Sequence, residues 1–174
     1  MVRTVFTSIL PLIVLGVITG CADSTSHETI TVSVDRSKYI LSTEPTGAIG
    51  VTEARQDSKH DDDIVLVGRI GGRENPWIDG RAAFMLIDAS MSVVAEGEDA
   101  GETEVCLGDC CASLRAECTT LVKVIDENGK PLDVDARELF DAETDDLVVV
   151  QGKVQRDDEQ STFTIAADGV YIRE

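Results

Sequence analysis

The sequence predicts a mainly β domain, a small five-stranded Greek-key barrel with one short helix, and three observations predict it. Five runs of strand character follow residue 63. The one well-capped helical segment falls between the third and the fourth of them. Two of the strands also share a pattern, Leu66-Val67-Gly68-Arg69-Ile70 and Val150-Gln151-Gly152-Lys153-Val154. Glycine weakens a strand unless the sheet must bend or bulge there, and a small barrel needs such points.

The elements follow in order. Ile64–Gly71 is dense in β-branched residues and stops at Gly71-Gly72. Ala82–Asp88 alternates, with Ala83, Met85 and Ile87 on one side and Phe84 and Leu86 on the other. Thr120–Asp126 runs into Glu127-Asn128-Gly129, a strong hairpin signal across which Pro131–Val134 can pair back. Asp135 is then a good helix N-cap with Glu138 three residues on, and Ala136, Leu139 and Phe140 form an apolar side. Leu147–Val154 is the most hydrophobic strand, and Ser161–Ala166 with Val170–Ile172 closes the chain. The order β-β-β-α-β-β is that of the OB-fold. An OB-like barrel is therefore expected over residues 64–174, with a cysteine-rich insertion at about 90–119. Before it, residues 37–63 read as an irregular lead-in punctuated by Pro45, Gly47 and Gly50, with a short helix near Val51–Gln56. Residues 21–36 are rich in Ser, Thr, Asp and Glu and read as a flexible tether; Ile30, Val32 and Val34 alternate like an edge strand within it.

Residues 1–20 differ in kind. Arg3 is followed by an almost wholly apolar run from Val5 to Ile18, the layout of a secretory signal and too short for a permanent span. Ile18-Thr19-Gly20-Cys21 resembles the bacterial lipobox, which implies cleavage before Cys21 and a diacylglyceryl group, often with a further acyl chain, on its sulfur. Two or more chains hold a protein stably on a membrane where one does not. Ala22, rather than Asp, follows the cysteine, which favours the outer membrane and a periplasm-facing domain. The expected address is that of an exported, membrane-anchored lipoprotein.

Charge narrows the partners. Removing residues 1–20 leaves 14 Lys and Arg against 33 Asp and Glu, a net charge of −19. Such a surface repels phosphate backbones, because nucleic-acid binding relies on basic side chains displacing counterions. It equally disfavours anionic lipid heads except through the anchor. No Gly-x-Ser-x-Gly is present, and His27 and His60 both lie outside the expected barrel, so the sequence argues against a Ser-His-Asp hydrolase and no catalysis is evident.

Chemistry concentrates in the cysteines. With Cys21 assigned to lipid, Cys106, Cys110, Cys111 and Cys118 fall within thirteen residues. An exported compartment favours disulfides. Neighbours Cys110 and Cys111 would then pair outward with Cys106 and Cys118, stapling a loop with little apolar material. The other reading is a metal site, since four thiolates suit zinc and soft sulfur suits Cu(I). His60 and the acidic run Glu96, Glu98, Asp99, Glu102 and Glu104 are further candidate ligands. A redox dithiol is disfavoured by the lack of a Cys-x-x-Cys.

The most distinctive loop is Gly71-Gly72-Arg73-Glu74-Asn75-Pro76-Trp77. Arg73, Asn75 and Trp77 are candidate ligand contacts, against the plainer reading that Trp77 folds over the barrel end as a plug. Arg69, Arg81, Lys123 and Lys153 form a candidate basic strip, or else are solvent-side partners for carboxylates.

From about Tyr39 to Arg173 the chain resembles a group of planctomycete lipoproteins with an OB-like domain. The resemblance rests on Gly68-Arg69-Ile70-Gly71-Gly72, Asn75-Pro76-Trp77 with Gly80-Arg81-Ala82-Ala83-Phe84, the paired cysteines, Asp135-Ala136-Arg137-Glu138-Leu139 and Val149-Val150-Gln151-Gly152-Lys153. A Pro-Trp-Asp-Tyr-like lead into the cysteine pair, associated with that group, is absent here. The resemblance implies fold and address and supplies no reaction. The expectation is an anchored OB-like module, without cofactor, that binds an envelope protein, a glycan or a small ligand; the alternative is an envelope zinc or copper protein.

Overall fold

The computed structural model describes residues 34–95 and 101–173. The signal, Cys21, most of the tether with Ile30 and Val32, His27, and the acidic residues Glu96, Glu98 and Asp99 lie outside the described residues.

The strands are β1 Ile49–Gly50, β2 Asp63–Ile70, β3 Ala83–Asp88, β4 Ser92–Val94, β5 Glu104–Cys106, β6 Thr119–Val124, β7 Leu147–Asp157 and β8 Thr162–Ile172. The helices are α1 Val51–Asp57, α2 Ala112–Cys118 and α3 Ala136–Phe140. Five strands close a barrel in the order β2-β3-β6-β8-β7, with β7 pairing back onto β2. β6 and β8 run parallel and the other barrel pairs antiparallel. This is the OB-like barrel that the order of elements predicts. β1 adds a short parallel strand beside Leu66 and Val67 of β2.

Closure explains the shared glycine pattern. The β7–β8 register shifts between Gln151 and Gly152. A Cβ on Gly152 would collide with the backbone of Ala166 and Ala167 on β8. On β2, a Cβ at Gly68 would stand 2.5 Å from the Ile87 carbonyl of β3. Both glycines are set by close approach of a neighbouring strand, as a bent small barrel requires.

The interior is aliphatic. Leu66, Phe84, Leu86, Val122, Val150, Val154 and Ile165 have no exposed surface. Phe84 and Leu86 face this core, whereas Ile87 faces outward into a second small cluster with Val105 and Cys118, flanked by Met91. β3 is therefore buried on both faces at its end, and this seats the insertion on the barrel. One barrel opening is filled by Trp77, Phe84 and Phe140, with ring centroids 6.0 and 6.3 Å apart along that series. Asp135 caps α3 by accepting the Arg137 N–H at 3.0 Å.

Two expectations are revised. Pro131 makes a single bridge to Ile125 instead of opening a strand. The Asp126 N–H donates to the Lys130 carbonyl and the Leu132 N–H to the Val124 carbonyl, and the Asp126 carboxylate adds bonds from the N–H groups of Asn128 and Lys130 at 2.8 and 2.9 Å. The lead-in is packed as well: α1 buries Val51 and Ala54, Ile40 bridges Val170, and Glu44 pairs with Arg173 at 2.5 Å. It belongs with the barrel to one compact unit, Ser33–Glu174. The buried Asp88 carboxylate ties α1 to the end of β3 by accepting the Thr52 N–H at 2.9 Å.

Candidate metal centre

The insertion between β3 and β6 builds its own small frame. β4 and β5 pair in parallel, Ser92 to Glu104 through Val94 to Cys106. The chain then turns at Leu107 and Gly108, makes one 3-10 turn over Asp109–Cys111 and continues as α2. Cys106 thus ends a strand, and Cys110 and Cys111 sit on the turn that follows. Arg115 locks the two together: its Nη1 donates to the Cys106 carbonyl at 2.6 Å and to the Gly108 carbonyl at 3.1 Å. Sequence reading missed this clamp. The only signal was a lone arginine four residues past Cys111, and nothing in its neighbours marks it as structural.

Three sulfurs converge. Cys106 Sγ lies 3.1 Å from Cys110 Sγ and 2.9 Å from Cys111 Sγ, with 3.9 Å between the latter two. Cys106 is buried, Cys111 half-buried and Cys110 exposed, so the cluster opens to solvent on one side. Cys118 is not part of it. Its sulfur is buried against Ile87 and Val105 and contacts the Arg115 carbonyl at 3.6 Å. The four described cysteines are free thiols, and no sulfur pair among the described residues is at bonding distance. No pair of the two-bridge staple expected from the sequence stands at bonding distance, and α2 carries Cys118 into the small core. That core partly replaces the bridges as what holds the insertion.

The thiols are electrostatically unlike. Hydrogen bonding with Cys111 and Cys110 holds the Cys106 pKa below the ordinary thiol value, outweighing its burial. As donor to that acceptor, Cys110 is pushed up to about 11. Burial pushes Cys118 up.

The donor set is sulfur alone. Among the described residues, Cys106, Cys110 and Cys111 form a group whose ligand atoms all lie within 4.8 Å of one another. His60 and the acidic residues Glu102 and Glu104 do not join it. His60 Nδ1 instead accepts the Arg156 N–H at 3.1 Å, and Glu104 accepts the Gly101 N–H at 2.9 Å. Tetrahedral ligation at about 2.3 Å needs sulfurs about 3.8 Å apart. The pair Cys110 and Cys111 already has that spacing, so the fit requires Cys106 to part from each by less than about 1 Å.

The other candidates fall elsewhere. Trp77 is 7 % exposed, donates Nε1–H to Thr144 Oγ1 at 3.2 Å and lies under the Arg137 guanidinium. Asn75 is spent on the turn, its side-chain oxygen accepting the Trp77 N–H at 3.2 Å, and Arg73 is exposed. Trp77 is thus a plug, and the loop does not offer it as a ligand contact with Arg73 and Asn75. Three members of the basic strip are engaged as solvent-side partners: Arg81 pairs with Asp133, Lys153 with Asp63 at 2.7 Å, and Arg69 donates to the Asp145 carbonyl. No helix among the described residues is long and apolar enough to cross a membrane.

Comparison with known proteins adds no further assignment: no family model, curated protein or solved structure matches the chain.

Proposed function

We propose that this protein is an exported, lipid-anchored OB-like module that binds a soft metal ion, Cu(I) ahead of zinc, through Cys106, Cys110 and Cys111. The observation that carries this reading is the convergence of three sulfurs with no nitrogen or carboxylate among them. Cu(I) accepts a small set of thiolates, and soft sulfur selects it over harder cations. Zinc favours four ligands and would take its fourth from solvent at the open side. The large acidic surplus of the chain favours the approach of any cation.

The role is capture and holding, without catalysis. The lipid on Cys21 would fix the barrel at the membrane, and the insertion would present the thiols outward. In the same reading the barrel is scaffold: its interior is packed with aliphatic side chains.

Anaerobic titration of the reduced full-length chain with Cu(I), followed by thiolate-to-copper absorption, tests the reading. One equivalent should saturate the signal, and Cys110→Ser should weaken binding strongly with the fold intact. A titration that Cys110→Ser leaves unchanged would refute the site.

A further inference from the structure

We infer that a second site, independent of the thiols, binds an oxyanion group in the recess formed by Arg55, Arg156, Ser161 and Thr162 over the ring of Phe163. Two guanidiniums flank one aromatic ring here. The Arg55 Cζ lies 5.1 Å and the Arg156 Cζ 5.9 Å from the Phe163 centroid. Both are anchored from behind by carbonyls. Arg55 Nη1 donates to Thr119 O at 3.1 Å, and Arg156 Nη1 donates to Arg55 O and Ser58 O at 2.8 and 3.1 Å. The side chains are therefore preorganised rather than swinging, which lowers the cost of binding.

Their charge is incompletely matched. Arg156 pairs with Asp158 at 2.7 Å, whereas Arg55 enters no ion pair among the described residues. Glu117 acts on Arg55 only through space. Burial, then the neighbouring Arg156 charge, lower the Arg55 pKa, the mark of a cation lacking its counter-ion. That is unusual in a chain with 33 acidic residues against 15 basic ones. The rim adds donors, since among the described residues neither the Ser161 nor the Thr162 hydroxyl has a hydrogen-bond partner.

Size limits the ligand. The recess encloses about 200 Å³, below the roughly 300–1,000 Å³ of small-molecule sites. It fits one compact charged group, either a free anion or the end of a longer molecule. Guanidinium forks suit phosphoryl and carboxylate oxygens, and two cations against one carboxylate favour the more highly charged phosphoryl group.

Calorimetric titration of the full-length chain in detergent with inorganic phosphate, at constant ionic strength, tests the inference; acetate and chloride are the comparison arms. One saturable site is expected for phosphate. Acetate should bind more weakly, and chloride should give no saturable response. Tighter acetate would show that the recess takes carboxylates and overturn the phosphoryl preference. Arg55→Gln keeps an amide donor for the Thr119 carbonyl and should weaken phosphate at least about tenfold. Ser161→Gly occupies a position with φ of 52° that glycine tolerates, so it removes a hydroxyl without threatening the fold and should weaken binding less. Equal, unsaturable responses to phosphate and chloride would overturn the site. So would affinity unchanged in both variants.

Discussion

The barrel and the insertion on its flank are built on opposite plans. In the barrel the backbone closes on itself, the interior is filled, and little reactive chemistry is left over. In the insertion two three-residue strands, one 3-10 turn and a seven-residue helix share a core of Ile87, Val105 and Cys118. Two of the four described cysteines, Cys110 and Cys111, lie there outside any core, beside the buried Cys106. The difference teaches where to look for function: side chains that the fold does not need, held by a frame that it does. It also separates two kinds of variant, those that break the barrel and those that touch only the insertion.

The largest effect is expected at the barrel closure. Gly152→Ala would drive a methyl into the β8 backbone, and its cost should exceed the about 1–3 kcal/mol typical of overpacking, because backbone cannot step aside. Urea denaturation would read this, and a loss below about 1 kcal/mol would show that the bulge is not a fixed closure point. Trp77→Ala comes next, at about 3–5 kcal/mol for a buried aromatic plug. An exposed ligand-contact residue would cost far less, so this variant distinguishes the two readings of the loop.

The third variant falls within the insertion. Cys118→Ser puts a hydroxyl in the small core and should cost about 1–3 kcal/mol while leaving metal binding intact. Loss of metal with Cys118→Ser in a folded chain would mean that the fourth cysteine is a ligand after all. The smallest effect is expected at Asp135→Ala, about 1 kcal/mol for a lost N-cap.

Asp135 and Asp88 also set the acid limit. The Arg137 side chain holds the Asp135 pKa down to about 2, against its partial burial. Burial opposes ionisation of Asp88, yet the N–H groups of Thr52 and Ser90 and the Ser90 hydroxyl keep its pKa below the ordinary value. Both values are lower folded than unfolded. Their stabilisation is therefore complete above about pH 4 and lost as the pH falls through the folded values, toward about 2 for Asp135. A melting series across that range should show a steep decline that Asp135→Asn makes shallower.

The sequence disclosed the barrel well because closure leaves marks: alternation in Ala82–Asp88, glycines at matching places in β2 and β7, a capped helix between the third and fourth barrel strands. It also marked the cysteines, whose spacing is unmistakable. What it did not disclose is which of them meet. That depended on α2, a short helix whose Ala-Ser-Leu-Arg-Ala-Glu run has no distinct apolar face. The helix carries Cys118 into a core and brings Arg115 back to the Cys106 carbonyl. The arginine pair over Phe163 was hidden for a similar reason. Arg55 and Arg156 are 101 residues apart in sequence and meet only once α1 lies across the end of the barrel.

The most direct test of the metal reading is made on the full-length chain, purified from an oxidising compartment without chelator. Elemental analysis for copper and zinc would be paired with intact mass before and after thiol alkylation. The account predicts near one equivalent of metal, retained in Cys118→Ser and lost in Cys110→Ser, with thiols that alkylate once the metal is stripped. Metal-free protein whose cysteines resist alkylation until reduced would contradict it, and would make the cluster a disulfide staple.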